Sequence, residues 1–257
     1  MAVTVPTGIR LLIVGDELLS GKRRDGHLVA VIERLRTRGL ALAECRIVGD
    51  EEDAIAASIR DAVDAGAVLL SCGGIGGTPD DRTRQAAARA FDRGLLRHPQ
   101  AAEWIEQRYG ERAYPQRIRM ADFPSGAELI PNPVNQVAGF SVGHCHFVPG
   151  FPEMAWPMID WVLDTHYRAM QRGPTAPEAR LEVRGRPTEG DFVALMEACL
   201  LAFPAVAVSS LPSRGRAPGQ GRIEFGFRGD DAARARDWFA ERAAAVDGAE
   251  LRSLDDY

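Results

Sequence analysis

Little in this sequence marks a secreted, membrane-spanning or nucleic-acid-coating protein. It holds only four cysteines in 257 residues. Cys45, Cys72, Cys145 and Cys199 lie far apart, without metal-ligand spacing or a disulfide framework. They read as reduced thiols of a cytoplasmic protein. No apolar run reaches the roughly 18 residues of a membrane span. The stretch from Met1 to Thr7 lacks the charged start and long apolar core of an export signal. The formal net charge is -5, so no general electrostatic attraction to nucleic acid is expected. Internal repeats are absent, as are a Walker A loop and a clean G-x-G-x-x-G. What remains is an ordinary globular composition, 46% hydrophobic and 26% charged, long enough for one large or two modest domains.

The most informative stretch is Ser71-Cys72-Gly73-Gly74-Ile75-Gly76-Gly77-Thr78-Pro79-Asp80-Asp81. It follows Ala67 to Leu70, an apolar run that reads as a buried parallel strand, and precedes a helix over Thr83 to Phe91. Gly73, Gly74, Gly76 and Gly77 strip side chains from the turn and let backbone N–H groups approach a ligand. Thr78 suits an N-cap and Pro79 a first helical position, so the helix is expected to begin there and aim its N–H groups at an anion. Asp80 and Asp81 admit two readings. Acidic residues in a first turn complement the helix dipole. Beside a phosphate they would repel it unless a divalent cation, Mg²⁺ above all, sits between.

Taken in order, Ile9 to Val14 reads as a buried strand ending at Gly15-Asp16-Glu17-Leu18-Leu19-Ser20-Gly21. A basic loop follows, then a helix striped by Leu28, Val31, Ile32 and Leu35. Leu40 to Val48 is the next strand, with Asp50 placed to cap a helix striped by Ile55, Ile59 and Val63. This alternation predicts a doubly wound α/β sheet. In such sheets ligands bind beyond the carboxyl ends of the strands. Asp16 with Glu17, Asp50, and Asp80 with Asp81 each follow one strand, so three acidic loops are expected to converge on one rim. Helical segments continue to about Tyr109. Short strands over Glu128–Ile130, Ala138–Val142 and His144–Val148 complete the sheet, and Pro149-Gly150-Phe151-Pro152 opens a helix through Tyr167. His144 and His146 share a strand face. Structural histidines outweigh a two-His metal site, since no third ligand is evident.

Residues 171–179 read as a linker, separating a domain over 1–170 from a smaller α+β domain over 180–257. The smaller domain has the order β-α-β-β-α, its last helix running from Asp230 to Val246. Its loop over 212–222 is basic and glycine-rich and reads as a hairpin tip.

Several pieces together resemble the molybdenum-cofactor (molybdopterin-binding, MoCF) domain family, and most closely its CinA-like branch, named for competence/damage-inducible protein A. They are Gly15 to Gly21, Val48-Gly49-Asp50, Gly73 to Thr83, Asn132, Gly139-Phe140 and Pro149-Gly150-Phe151-Pro152-Glu153-Met154. They run in family order over the first two-thirds of the chain. The resemblance implies a three-layer α/β/α sandwich with a mostly parallel sheet, followed by a KH-like α+β unit. That unit lacks the G-x-x-G of an RNA-binding KH domain, so RNA binding is not carried over. The implied ligand is molybdopterin or a related phosphorylated pterin or nucleotide, and the implied assembly a dimer or trimer. Family adenylyltransferases use acidic residues in positions that match Asp50 and Asp81, which makes these two the catalytic candidates. Asp16 and Asp81 are the candidate Mg²⁺ ligands. Gly15, Asp16, Glu17, Gly73, Gly74, Gly76, Gly77, Thr78, Asp80, Asn132, Pro149 and Gly150 are the candidate cofactor-binding residues. CinA-like members can instead act as metal-dependent pyrophosphatases on ADP-ribose-type dinucleotides. This chain departs from the branch at Gly77, where Pro is usual, at His27, where Asn is usual, and at Asn135 to Ala138, where a Gly-x-Ala-Pro turn is usual. Those departures keep a third reading open, a catalytically degenerate interaction protein.

Overall fold

The computed structural model describes residues 6–171, 178–213 and 221–254. Contact density divides the chain into two compact units, Met1–Thr175 and Ala176–Tyr257. The expected linker over 171–179 lies at 172–177 outside the described residues.

In the first unit, β1 (Ile9–Val14) is followed by a short α1 (Asp16–Leu19), α2 (His27–Arg36), β2 (Leu42–Val48), α3 (Glu52–Asp64) and β3 (Val68–Cys72). Next come α4 (Thr83–Ala90), β4 (Leu95–Arg97), α5 (Pro99–Tyr109), β5 (Asp122–Pro124), β6 (Glu128–Ile130), β7 (Gly139–Val142), β8 (Cys145–Val148) and α6 (Pro152–His166). The central sheet has the order β2-β1-β3-β8-β7-β6. β1 pairs in parallel with β2 and β3, and β3 with β8. β7 and β6 complete it antiparallel. β4 and β5 form a separate antiparallel ribbon.

The strands read as apolar runs because both faces of the sheet are covered. Along β1, Leu12 and Val14 face a core that also holds Ile55 and Ile59 of α3, Ala86 and Ala87 of α4, and Ile105 of α5. The alternate residues Ile9, Leu11 and Ile13 face Val31 and Leu35 of α2 and Met158, Ile159 and Val162 of α6. Strand periodicity of two thus builds three layers. The helical stripes are narrower than expected. Ile32 and Val63 are exposed, and Ala62 takes the buried place beside Ile59.

Four local expectations are corrected. The helix after the glycine-rich loop starts at Thr83, with Arg82 at the cap position, so neither Thr78 nor Pro79 begins it. Thr78 is instead held by Asp81, whose Oδ2 accepts both its N–H at 2.9 Å and its hydroxyl at 2.5 Å. Glu51, not Asp50, stands at the cap of α3. The stretch to Tyr109 is broken by the exposed strand β4. His146 lies in β8, but His144 precedes it in the turn; both accept or donate to the Tyr167 hydroxyl, at 3.0 Å and 2.7 Å. Ser141 holds the other ring nitrogen of His146, Nδ1, at 2.8 Å, and no group of three or more His, Cys, Asp or Glu side chains is placed to hold a metal ion among the described residues.

The second unit comprises β9 (Ala179–Gly185), α7 (Val193–Ala202), β10 (Ala207–Ser213), β11 (Arg222–Arg228), α8 (Ala232–Ala243) and β12 (Ala249–Ser253). The sheet is antiparallel, in the order β10-β11-β9-β12. Its core is an aromatic group in which Phe192, Phe225, Phe227 and Phe239 are fully buried. β12 is an addition to the expected order, and α8 ends three residues before Val246. β10 and β11 pair as an antiparallel hairpin; residues 214–220, the basic loop between them, lie outside the described residues.

Candidate functional site

In the order β2-β1-β3 the chain leaves β1 toward one side of the sheet and leaves β3 toward the other. The carboxyl ends of β1 and β3 therefore flank a crevice that no crossover covers. A cavity of ≈ 450 Å³ opens there. Each strand end contributes a wall: Val14, Gly15 and Glu17 after β1, Asp50 after β2, the loop from Gly73 to Asp81 after β3, and Pro149 to Phe151 after β8.

The glycine-rich loop is built by close approaches. Gly73 has φ of 105°, and a Cβ on it would meet Val14 O at 2.3 Å. Gly74 has φ of 69°, and a Cβ there would meet Thr83 Oγ1 at 2.2 Å. Such conformations and contacts favour glycine alone. The Thr83 hydroxyl donates to Gly73 O at 2.9 Å, and Thr83 N–H to Gly74 O at 2.9 Å. With those carbonyls occupied, the N–H groups of Gly74, Ile75, Gly76 and Gly77 have no hydrogen-bond partner among the described residues. Successive free N–H groups in a glycine turn form a seat for an anion.

A buried arginine supports this seat from behind. Arg84 is 4% exposed. Its guanidinium donates to Gly76 O at 2.5 Å and also to Arg119 O.

Carboxylates face the seat. Glu17, Asp50, Asp80 and Asp81 all line the cavity. Asp50 and Asp16 are latched to each other: Asp16 N–H donates to Asp50 Oδ2 at 3.0 Å, and Asp50 N–H to Asp16 Oδ1 at 3.2 Å. The latch needs Gly49, where a Cβ would meet Asp16 Oδ1 at 2.3 Å. Partial burial pushes the Asp50 carboxyl above the usual range, the charges of Asp16, Glu17 and Asp80 push the same way, and the Asp16 N–H opposes them.

The structure thus brings together on one cavity Gly15, Glu17, Asp50, Gly73, Gly74, Gly76, Gly77, Thr78, Asp80, Asp81, Pro149 and Gly150. Two candidates stand outside its lining. Asp16 is one, occupied by the latch. Asn132 is the other: it is buried, and its amide holds Asn135 Oδ1 at 2.8 Å and Val137 O at 3.0 Å. Asn135 does line the cavity; its Oδ1 accepts Val137 N–H at 2.9 Å, and its Nδ2 donates to Met154 Sδ at 3.2 Å. The left-handed residue of that turn is Gln136, at φ of 61°, rather than Asn135. His27 is buried, and its Nε2 donates to Gly150 O at 3.1 Å, bracing the β8 exit loop.

Sequence reasoning missed the less polar end of the cavity, formed by Tyr109, Met120, Phe151 and Met154, with Arg23 beside it. The Arg23 guanidinium lies 5.8 Å from the Phe151 ring centre. Phe151 and Met154 stand inside a quoted family motif, which was a usable signal. Tyr109 and Met120 come from a helix end and a 3-10 turn, and nothing local marks them.

Fold and site together define an α/β domain with a switch-point cavity, walled by a glycine-rich loop of unpartnered N–H groups and by carboxylates. The family model described as a probable molybdopterin binding domain matches residues 10–168. A CinA-like protein of Geobacter metallireducens is 36% identical over 157 residues, covering 58% of this chain and 38% of that protein. A protein of Pyrobaculum calidifontis is 30% identical over 211 residues, covering 79% of each. Among solved structures, the protein CinA of Thermoplasma acidophilum, described as of unknown function, matches with a TM-score of 0.57 at 27% identity, over 61% of this chain and 97% of that one. The chain belongs to the molybdopterin-binding (MoCF) domain family, in its CinA-like branch. It spans 38% of the length of the Geobacter relative.

Proposed function

We propose that the rim cavity binds a small phosphorylated ligand, molybdopterin or a related pterin or nucleotide, with Mg²⁺ or another divalent cation at its phosphate end. The observation that carries this reading is the row of four unpartnered N–H groups from Gly74 to Gly77, in a cavity of ≈ 450 Å³ that Asp80 and Asp81 of the same loop line together with Glu17 and Asp50 of other walls. Phosphate fits the N–H seat, and the planar ring of a pterin or base fits against Phe151 and Tyr109.

A cation fits the donor set. Asp50 carries an upward push, first from burial and then from the charges of Asp16, Glu17 and Asp80, and a cation would relieve both. Mg²⁺ is commonly held by one or two carboxylates together with substrate phosphates rather than by a closed protein cage. Asp50 and Asp81 are the residues that would hold it; Asp16 would act through its latch on Asp50. When bound, the cation supplies charge neutralisation at the phosphoryl oxygens. The buried or half-buried free thiols Cys45, Cys72, Cys145 and Cys199 support a reducing, cytoplasmic setting.

The test is calorimetric titration with ADP-ribose and with a pterin phosphate, in Mg²⁺ and in EDTA. Tighter binding with Mg²⁺ is expected; equal affinities would count against the bridging cation.

The raised pKa of Asp50 favours a second reading, a pyrophosphatase acting on ADP-ribose or a similar dinucleotide. A carboxylate more basic than usual is a better proton acceptor for an attacking water. Phosphate release from ADP-ribose, coupled to a phosphatase, separates this reading from binding alone.

A further inference from the structure

A second cavity, ≈ 480 Å³, shares Gly77 and Thr78 with the rim cavity but has opposite chemistry. Its charged lining is Arg84, Arg97, Arg119 and Asp122. One of these positive charges is neutralised locally: Arg97 forks Asp122, with Nε to Oδ1 at 2.7 Å and Nη2 to Oδ2 at 3.0 Å. The other two are not. The exposed guanidinium of Arg119 has no partner among the described residues, and Arg97 Nη1 is also free.

Arg84 is the sharper case. A guanidinium stays charged in proteins, and this one is 4% exposed. Its Nη atoms reach only backbone carbonyls, those of Arg119 and Gly76. Among the described residues no carboxylate comes within ion-pair distance of it, and its Nε has no hydrogen-bond partner. Asp81 and Asp122 act on it only through longer-range attraction, against a desolvation that dominates. Buried charges are ordinarily paired, and buried polar atoms ordinarily satisfied. A wall that leaves both conditions unmet, next to two further arginines and an open volume, is short of an anion.

We infer that this second cavity binds an oxyanion, a phosphoryl or carboxylate group, held by Arg84, Arg97 and Arg119 without a metal. The arginine fork suits such groups, since guanidinium N–H pairs match the oxygen spacing of phosphate and carboxylate. The anion has two sources, a free one such as inorganic phosphate or the far end of a ligand reaching over Gly77 and Thr78 from the rim cavity. The inference does not rest on the rim cavity's proposed ligand or cation.

The experiment titrates the full chain with inorganic phosphate in EDTA, by calorimetry, for the unaltered protein and for Arg119→Ala, Arg119→Lys and Asp81→Asn. Arg119 is exposed, so its variants should melt with the parent. Phosphate should bind the parent, bind Arg119→Ala at least about ten-fold more weakly (about 1.4 kcal/mol), recover in part in Arg119→Lys, and bind Asp81→Asn no more weakly than the parent, since that change only removes a negative charge near Arg84. Repeating the titration with saturating ADP-ribose distinguishes the sources. Displacement of phosphate assigns the cavity to the end of the rim ligand, and simultaneous binding assigns it to a free anion. No phosphate binding to the parent, or binding weakened by Asp81→Asn and not by Arg119→Ala, overturns the inference.

Discussion

Replacing Asp81 by Asn separates a loop-locking role from a ligand-binding one. The carboxylate accepts two hydrogen bonds from Thr78, at 2.9 Å from N–H and 2.5 Å from the hydroxyl. Hydrogen bonds to a charged acceptor contribute about 1.5–3 kcal/mol and neutral ones about 0.5–1.5. Asn keeps one acceptor oxygen and the side-chain shape, so the loss should be about 1 kcal/mol. Part of that is offset, because one of four carboxylates crowding the cavity loses its charge. For a unit of this size, about 1 kcal/mol corresponds to a melting shift of about 2–4 °C. Ligand affinity should respond far more. A carboxylate that shares a cation with a phosphate cannot be replaced by a neutral amide, and affinity in Mg²⁺ should fall by at least about ten-fold, about 1.4 kcal/mol. The assay is a melting curve and a calorimetric titration on the same preparation. A large melting drop with affinity intact would refute the reasoning and leave Asp81 as the clasp on Thr78 only.

Gly73→Ala should destabilise by at least about 2–3 kcal/mol, since its Cβ would stand 2.3 Å from Val14 O at φ of 105°. Gly77→Ala, whose Cβ meets nothing closer than Gln116 O at 3.4 Å, should melt within about 0.5 kcal/mol of the parent; equal losses in the two would sink the close-approach argument. Burial holds the His146 imidazole at about 3, below its unfolded value of about 6.5. The unfolded chain therefore binds the extra proton, and stability present above about 6.5 should drain by about 1.4 kcal/mol per pH unit as pH falls toward 3. Urea unfolding at successive pH values should show a flatter acid limb in His146→Gln than in the parent. Arg38 clamps Asp164 at 2.7 Å and 2.8 Å and lowers its pKa to about 2. Asp164→Asn should cost up to about 1 kcal/mol at neutral pH, an effect present above the unfolded pKa and lost as pH falls toward 2. A cost that persists undiminished in acid would point to packing instead of charge.

The parallel strands were legible because burial on both faces writes an unbroken apolar run, as in Ile9 to Val14 and Val68 to Leu70. Convergence of the three acidic loops was also legible, since it follows from strand order alone. The start of α4 was not. Thr78 and Pro79 form a good local helix signal, but Asp81 takes both Thr78 donors and keeps the chain in a turn for another four residues. β4 is exposed along its length, and only its pairing with β5 makes it a strand; no periodicity can show that. Arg84 carried no signal, because arginine in a helix is usually solvated, and although one carbonyl that draws it inward, Gly76 O, lies in the glycine-rich motif, the other, Arg119 O, belongs to a segment that no motif marks. Asn132, a ligand-binding candidate by resemblance, stands outside the lining of the cavity, where its buried amide organises a loop.

A trans peptide unit carries its carbonyl and its N–H on opposite edges. Arg84 grips Gly76 O, so the N–H of Gly77 in that same peptide plane is turned away from Arg84. Arg84 lines the basic cavity and is absent from the lining of the rim cavity. Arg84 at this plane, and Thr83 at the Gly73 and Gly74 carbonyls, thereby fix which side of the loop is donor and which is acceptor. A bare run of glycines could rotate that plane freely and offer a carbonyl to an incoming phosphate as readily as an N–H. Here the rotation is arrested before any ligand arrives, so the anion seat should be occupied without a reorganisation step. Association should run close to the encounter rate, and differences in affinity among ligands should be read out almost wholly in how fast they leave.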